Sequence, residues 1–215
     1  MKRPHLEPMG AFFNKRADTY DVVHPSHIVG GRAHKDLVAA YLPEHTQDVL
    51  DLGCGTGLEL EALFARFPTA HVIGIDLAED MLAKLHERCA GFGVQTLCAS
   101  YFDYDFPPNA FDAIISVMSL HHFTPEQKLG LYKKAYSALR PGGVFINCDY
   151  IIDSALKEWW YFSRLRRMGT EPGSVHFDTP LMLKREIKLL REAGFEGVEV
   201  PWAVGATRLV KGTKA

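Results

Sequence analysis

The sequence predicts an α/β fold, a mostly parallel sheet covered by helices on both faces, and three observations carry that prediction. From Gln47 onward, short apolar runs alternate with segments of helical periodicity, and the joints between them are short. A glycine-rich turn, Gly53-Cys54-Gly55-Thr56-Gly57, joins the first apolar run to the first of these helices without a spacer. Polar residues cluster just after the apolar runs, where ligands of open α/β sheets collect.

In chain order, residues 1–10 hold two prolines and little periodicity, and are expected to fray. Between 11 and 42, Phe12, Phe13, Ala17 and Tyr20, then Leu37, Val38, Tyr41 and Leu42, predict two amphipathic helices broken near Pro25 and Gly30-Gly31. Strands are expected at 48–52, 71–75, 94–98, 111–117, 143–149, 197–203 and 206–211. Helices are expected at 57–67, 78–90, 125–139, 154–168 and 180–193. Thr124-Pro125-Glu126-Gln127 has the cap, the first-turn proline and the glutamine of a capping box.

Length and composition narrow the function classes. With 215 residues, 47% of them hydrophobic, the chain fits one domain over 1–215 with a substantial core and leaves no room for a second catalytic domain. A net charge of -2 and a pI near 6.5 supply no basic field, which disfavours nucleic acid as a partner. Cys54, Cys89, Cys98 and Cys148 show no C-x-x-C pairing and read as reduced residues, so a cytoplasmic location is expected. No run approaches membrane-spanning length and the N-terminus has no continuous apolar segment, so neither anchoring nor export is expected.

The glycine turn determines what could bind. Three glycines in five residues let a ligand lie against the backbone and allow positive φ. The spacing G-x-G-x-G differs from the G-x-G-x-x-G of dinucleotide sites, and Asp51, two residues before Gly53, would repel a pyrophosphate but attract an ammonium. Asp76 closes the second strand 19 residues after Gly57, where a ribose-binding acid is expected. An ammonium and a ribose on one ligand describe S-adenosylmethionine.

Four motifs in this order and spacing, VLDLGCGTG, GIDLAEDML, FDAIISVMSLHHF and LRPGGVFINCDY, resemble those of the class I S-adenosylmethionine-dependent methyltransferases. The likeness runs over about 12–210. It implies a Rossmann-like, doubly wound sheet of seven strands in the order 3-2-1-4-5-7-6, with the last strand antiparallel. It further implies an N-terminal helical lid at 11–42, because FFNKRADTYD matches the family's F-x-x-x-A-x-x-Y-D at Phe13, Ala17, Tyr20 and Asp21. Tyr20 and Arg16 would then face the cofactor's methionine end. The implied activity is methyl transfer to an O, N or S atom of a small-molecule acceptor, leaving S-adenosylhomocysteine, in a monomer or homodimer. A non-catalytic S-adenosylmethionine-binding protein and an RNA-modifying methyltransferase are the alternatives.

Candidate site residues follow strand by strand. Asp51, Gly53, Gly55, Thr56 and Gly57 form the cofactor turn, Thr56 also being able to cap the next helix. Asp76 either takes the ribose hydroxyls or caps the helix at 78–90; Leu77 and Met81 pack on adenine. Ser100 stands where many family members carry the acid that recognises the adenine amine, leaving that contact to Ser100, the Tyr101 backbone or Asp103. Tyr101 and Phe102 either wall the purine or fill core. Val117 and Met118 end strand four beside the cofactor.

His121 and His122 fall on the following loop, where one of them either acts as general base or only lines the pocket. Asp149, in the adjacent strand five, could orient either histidine. No metal site is expected, since no third ligand has recognisable spacing from the pair. The substrate side is expected at 150–180. There Trp159, Trp160, Tyr161 and Phe162 precede Arg164, Arg166 and Arg167; His176 and Asp178 either reach the pocket, or Asp178 or Thr179 only caps a helix begun at Pro180. A basic set of Arg164, Arg166, Arg167, Lys184, Arg185 and Lys188 could face RNA but is interrupted by Glu158, Glu171 and Glu186.

Overall fold

A computed structural model describes residues 7–27, 33–169 and 173–215. Three helices, α1 (Met9–Asn14), α2 (Ala17–His27) and α3 (Ala33–Ala40), precede β1 (Asp48–Leu52), α4 (Leu58–Arg66), β2 (His71–Asp76), α5 (Glu79–Arg88), β3 (Gly93–Cys98) and β4 (Phe111–Val117). A 3-10 turn at Leu120–His122 leads to α6 (Pro125–Ala138), β5 (Leu139–Tyr150), α7 (Ala155–Met168), α8 (Leu183–Glu192), β6 (Glu196–Val204) and β7 (Thr207–Thr213).

The seven strands form one sheet in the order β3-β2-β1-β4-β5-β7-β6. Strands β1 to β5 pair in parallel, and β7 runs antiparallel to both neighbours, as expected. All seven residues of β4 are buried because helices cover both faces, whereas edge strand β3 has no fully buried residue. Successive residues of β1 face opposite layers: Val49 joins Leu60, Leu63 and Leu85 from α4 and α5, while Leu50 joins Leu131, Leu189 and Leu190 from α6 and α8. Strand order reverses between β1 and β4, and the glycine turn and the 3-10 turn meet at the crevice this opens.

The expected capping box opens α6: Thr124 Oγ1 accepts from Gln127 N at 3.2 Å, and Thr124 N donates to Gln127 Oε1 at 2.9 Å. It fixes the end of the loop that carries the histidines. Behind that loop, Lys128 and Glu186 are 1% and 0% exposed and pair at 3.0 Å. Tyr132 Oη and Asn147 Nδ2 also donate to Glu186, so α6, α8 and β5 share one buried polar knot.

Several expectations need correction. Residues 7–10 are not frayed: His176 N donates to Glu7 O at 3.0 Å, Met9 N to Ser174 O at 3.3 Å, and Met9 is buried. The first of the two expected helices is itself divided at Lys15-Arg16; α2 then runs two residues past Pro25 to His27, close to the expected break, and Gly30-Gly31 fall outside the described residues. Asp178, Thr179 and Pro180 start no helix. Met182 is the N-cap of α8, because the segment before it is held as extended chain: Ile152 N donates to Leu181 O, and Thr179 N to His121 O. Strand β5 begins at Leu139, four residues early, with a register shift against β4 that accommodates Pro141-Gly142-Gly143.

Candidate cofactor and acceptor site

The crevice holds a cavity of about 350 Å³ bounded by Gly53 and Gly55 of the glycine turn and by Asp76, Leu77 and Met81 after β2. Ser100, Tyr101 and Phe102 after β3 close another side, and Val117, Met118, Ser119 and His122 after β4 a third. Phe13 and Tyr20 cover it from the N-terminal helices, and Gly173 and Ser174 border it from the 150–180 region. A recess of about 20 Å³ opens between Tyr20, the glycine turn, Met118 and Glu59; it admits a group the size of one water molecule.

The turn is shaped by its glycines. Gly53 has φ 78°, and a Cβ there would overlap Ser119 Oγ; Gly55 has φ 49°, and a Cβ there would meet nothing within 4 Å, so only a ligand's approach and the backbone angle call for glycine. Gly57 borders neither cavity: a Cβ would meet Leu85 Cγ at 2.9 Å, which makes it a packing glycine between α4 and α5. Thr56 does not cap α4, whose N-cap is Gly57. Its hydroxyl donates to Asp21 Oδ1 at 2.6 Å, and Arg88 binds both Asp21 and the Thr56 carbonyl, latching α2 onto the turn. Arg16 turns away, its guanidinium 3.5 Å from the Phe12 ring and donating to Phe12 O.

Asp76 holds the turn in place. Its Oδ2 accepts from Gly55 N and its Oδ1 from Ala78 N, each at 2.9 Å, and it does not cap α5, whose N-cap is Ala78. Burial raises its pKa against the pull of these backbone donors. Asp51 lies beneath, fully buried, bordering neither cavity, with no hydrogen-bond donor to either oxygen. Burial, then the charges of Glu59 and Asp76, push its pKa well up. Three carboxylates thus crowd one end of the cavity, and a cation there would relieve their repulsion. The hydroxyl of Tyr20 is likewise held protonated by burial and by Glu59 and Asp76. Glu59 escaped sequence reasoning because an acid in the first turn of a helix reads as a dipole partner.

The opposite wall is apolar and aromatic. Tyr101 and Ser119 hydroxyls share a 3.0 Å bond, Phe102 packs edge-on to Phe123, and Ser100 Oγ accepts from Phe102 N at 3.2 Å. The Tyr101 carbonyl is taken by Lys134, and Asp103 is exposed and outside the cavity lining. Met118 has φ 53°, a strained angle for a side-chain-bearing residue, at the point where β4 turns over the cavity.

His121 and His122 are both buried, and their surroundings push their pKa values in opposite directions. Asp149 Oδ1 lies 2.5 Å from His121 Nδ1. Asp149, with help from Asp178, raises the pKa of His121 despite burial, and His121 in turn lowers that of Asp149. Burial, followed by the charge on His121, lowers that of His122 well below 6.5 and keeps it neutral. His122 Nδ1 donates to Phe177 O at 3.3 Å, so Nε2 is left as the acceptor, and His122 alone of the two borders the cavity. Asp178, invisible to sequence spacing, approaches His121 Nε2 and His122 Nδ1, each at 3.6 Å. His176 stacks on Phe12 at 3.5 Å. From α7, Trp159 and Trp160 are 58% and 45% exposed, and no residue of that helix borders the cavity.

A floor of glycines, an acid after β2 and a crevice at the strand-order reversal define a nucleoside-binding α/β domain. A family model described as "Methyltransferase domain" matches residues 49–143. The chain is 29% identical over 170 residues to a sterol 24-C-methyltransferase of Yarrowia lipolytica, covering 72% of this chain and 43% of that one. It is 28% identical over 196 residues to a carboxy-S-adenosyl-L-methionine synthase of Wolinella succinogenes, covering 82% and 80%. A solved structure of a putative O-methyltransferase from Nostoc punctiforme superposes with a TM-score of 0.72 at 20% identity over 98% of this chain and 63% of that one, a likeness of fold. Over residues 49–143 the chain thus resembles a methyltransferase domain. It spans less than half the length of the sterol methyltransferases it matches. No helix among the described residues is long and apolar enough to cross a membrane.

Proposed function

We propose that the protein moves the methyl group of S-adenosylmethionine to an O, N or S atom of a small-molecule acceptor. The observation that carries this reading is one cavity with a carboxylate-lined recess at one end and a neutral, buried histidine at its edge. When bound, the sulfonium supplies an electrophilic methyl group. The chain's own work is positioning, which accounts for much of such an acceleration. Leu77, Met81 and Phe102 enclose the adenine, and Asp76 accepts from the ribose hydroxyls. Glu59 and the Tyr20 hydroxyl meet the ammonium in the recess, and the ammonium's charge favours the ionised form of buried Asp51 beneath. Val117 and Met118 hold the methyl-bearing end. His122 Nε2 receives the acceptor's proton where the acceptor has one to lose; His121, clamped by Asp149, orients the loop and keeps its neighbour neutral.

Glu59→Gln is expected to weaken S-adenosylmethionine by about tenfold, the worth of one charge-assisted contact of roughly 1.5 kcal/mol. Methylthioadenosine, which lacks the ammonium, should bind both proteins alike. Calorimetry with the two ligands checks this, and equal losses would remove Glu59 from the recess. His122→Ala is expected to leave cofactor affinity unchanged and to lower turnover by about 10²-fold on a hydroxyl acceptor. Undiminished turnover would remove the base assignment.

The activity itself is tested by release of S-adenosylhomocysteine across an acceptor panel. Tight cofactor binding without release on any acceptor would favour a binding protein. The RNA reading gains little from the basic set, because Arg185 is spent on buried Glu158 at 2.8 Å, although Glu186 is buried with Lys128 and so does not interrupt that surface.

A further inference from the structure

The fold gives the histidine pair what its spacing lacks, a third ligand. His121 Nε2, His122 Nδ1 and a carboxylate oxygen of Asp178 all lie within 4.8 Å of one another, with Asp178 Oδ1 3.6 Å from each nitrogen. Those separations are too long for hydrogen bonds and close to the ~3.3 Å that two metal bonds of about 2.0 Å subtend at a tetrahedral angle. The ligands are fixed from behind. Asp149 holds the His121 ring by Nδ1, the carboxylate–histidine support that metal-binding imidazoles use, and Thr179 donates to His121 O through both its N–H (2.6 Å) and its hydroxyl (3.2 Å). Asp178 is 41% exposed in its side chain and offers an entry path, while both imidazoles are buried.

We propose that His121, His122 and Asp178 form a three-ligand site for a divalent transition cation such as Zn²⁺ or Co²⁺, and that occupation of this site switches off the proton-accepting role of His122. The proton balance explains the switch. The cation takes the lone pair of His122 Nδ1, which now gives up its proton and its bond to Phe177 O; the neutral ring carries its proton on Nε2 instead. His121 offers the lone pair of Nε2 and keeps its ring proton on Nδ1, where Asp149 holds it. His122 then presents a donor to the cavity, so metal binding and base catalysis exclude each other. The inhibitory half rests on the base assignment above; the site itself does not.

The test uses the full-length protein, stripped with chelator and dialysed against Zn²⁺ or Co²⁺ with elemental analysis and, for Co²⁺, visible absorption. One ion per chain is expected, with d–d bands of low-coordinate cobalt. Asp178→Asn should lose at least about tenfold in metal affinity and keep its affinity for S-adenosylmethionine, while His176→Ala should bind metal as the parent does. Substoichiometric metal in the parent protein, or an Asp178→Asn variant that binds metal undiminished through exposed Cys98 or elsewhere, overturns the site. Stoichiometric metal that leaves turnover unchanged overturns the switch alone.

Discussion

Glu186→Ala is expected to lower the free energy of unfolding by about 3–5 kcal/mol, the largest stability change of any single substitution at the sites described. The side chain is wholly buried and accepts from Lys128, Tyr132 and Asn147 at once. Removing it leaves an ammonium that is 1% exposed without its counter-charge, along with two orphaned donors. The cost lies in the unpaired charge and not in the worth of the pair, so Glu186→Leu combined with Lys128→Met should recover most of the loss. Urea unfolding of the parent, the single and the double variant measures both statements. A single variant within about 1 kcal/mol of the parent, the size of an exposed pair, would contradict the buried reading.

Asp76→Ala is expected to weaken S-adenosylmethionine by about 10²-fold or more. Two effects add. The ribose loses charge-assisted acceptors worth together roughly 3 kcal/mol, and the Gly55 and Ala78 amides lose the carboxylate that holds the turn against β2. Asp76→Asn should recover part of the affinity, since the amide oxygen still accepts from one backbone donor. Calorimetric titration of the three proteins reads the series, and an alanine variant within threefold of the parent would remove Asp76 from the ribose site.

What sequence could and could not disclose divides along physical lines. The strand, turn and helix around Gly53 were legible because glycine spacing and apolar periodicity are local properties, and all seven strands lie within a few residues of where periodicity put them. The sheet order came from the family resemblance, as periodicity says nothing about neighbours. Partners brought together only by folding were hidden. Asp178 meets His121 and His122 across more than fifty residues, and Glu186 reads as a surface acid on a charged helix until α6 and β5 close over it. Thr56 looked like a helix cap because its hydroxyl has a local option; Asp21 of α2, secured by Arg88, takes it instead. The aromatic and basic stretch of α7 drew attention for its composition, yet its tryptophans are about half exposed and none of its residues borders the cavity.

The proposed function requires that the carboxylates crowded below and beside the glycine turn meet a cation on a nucleoside. Calorimetric titration of the ligand-stripped protein with S-adenosylmethionine and, separately, with NAD tests it most directly. Saturable binding at one site per chain is expected for S-adenosylmethionine and none for NAD, whose pyrophosphate would meet Glu59 at the recess and Asp76 beside the glycine turn. Binding of NAD with no response to S-adenosylmethionine would contradict it.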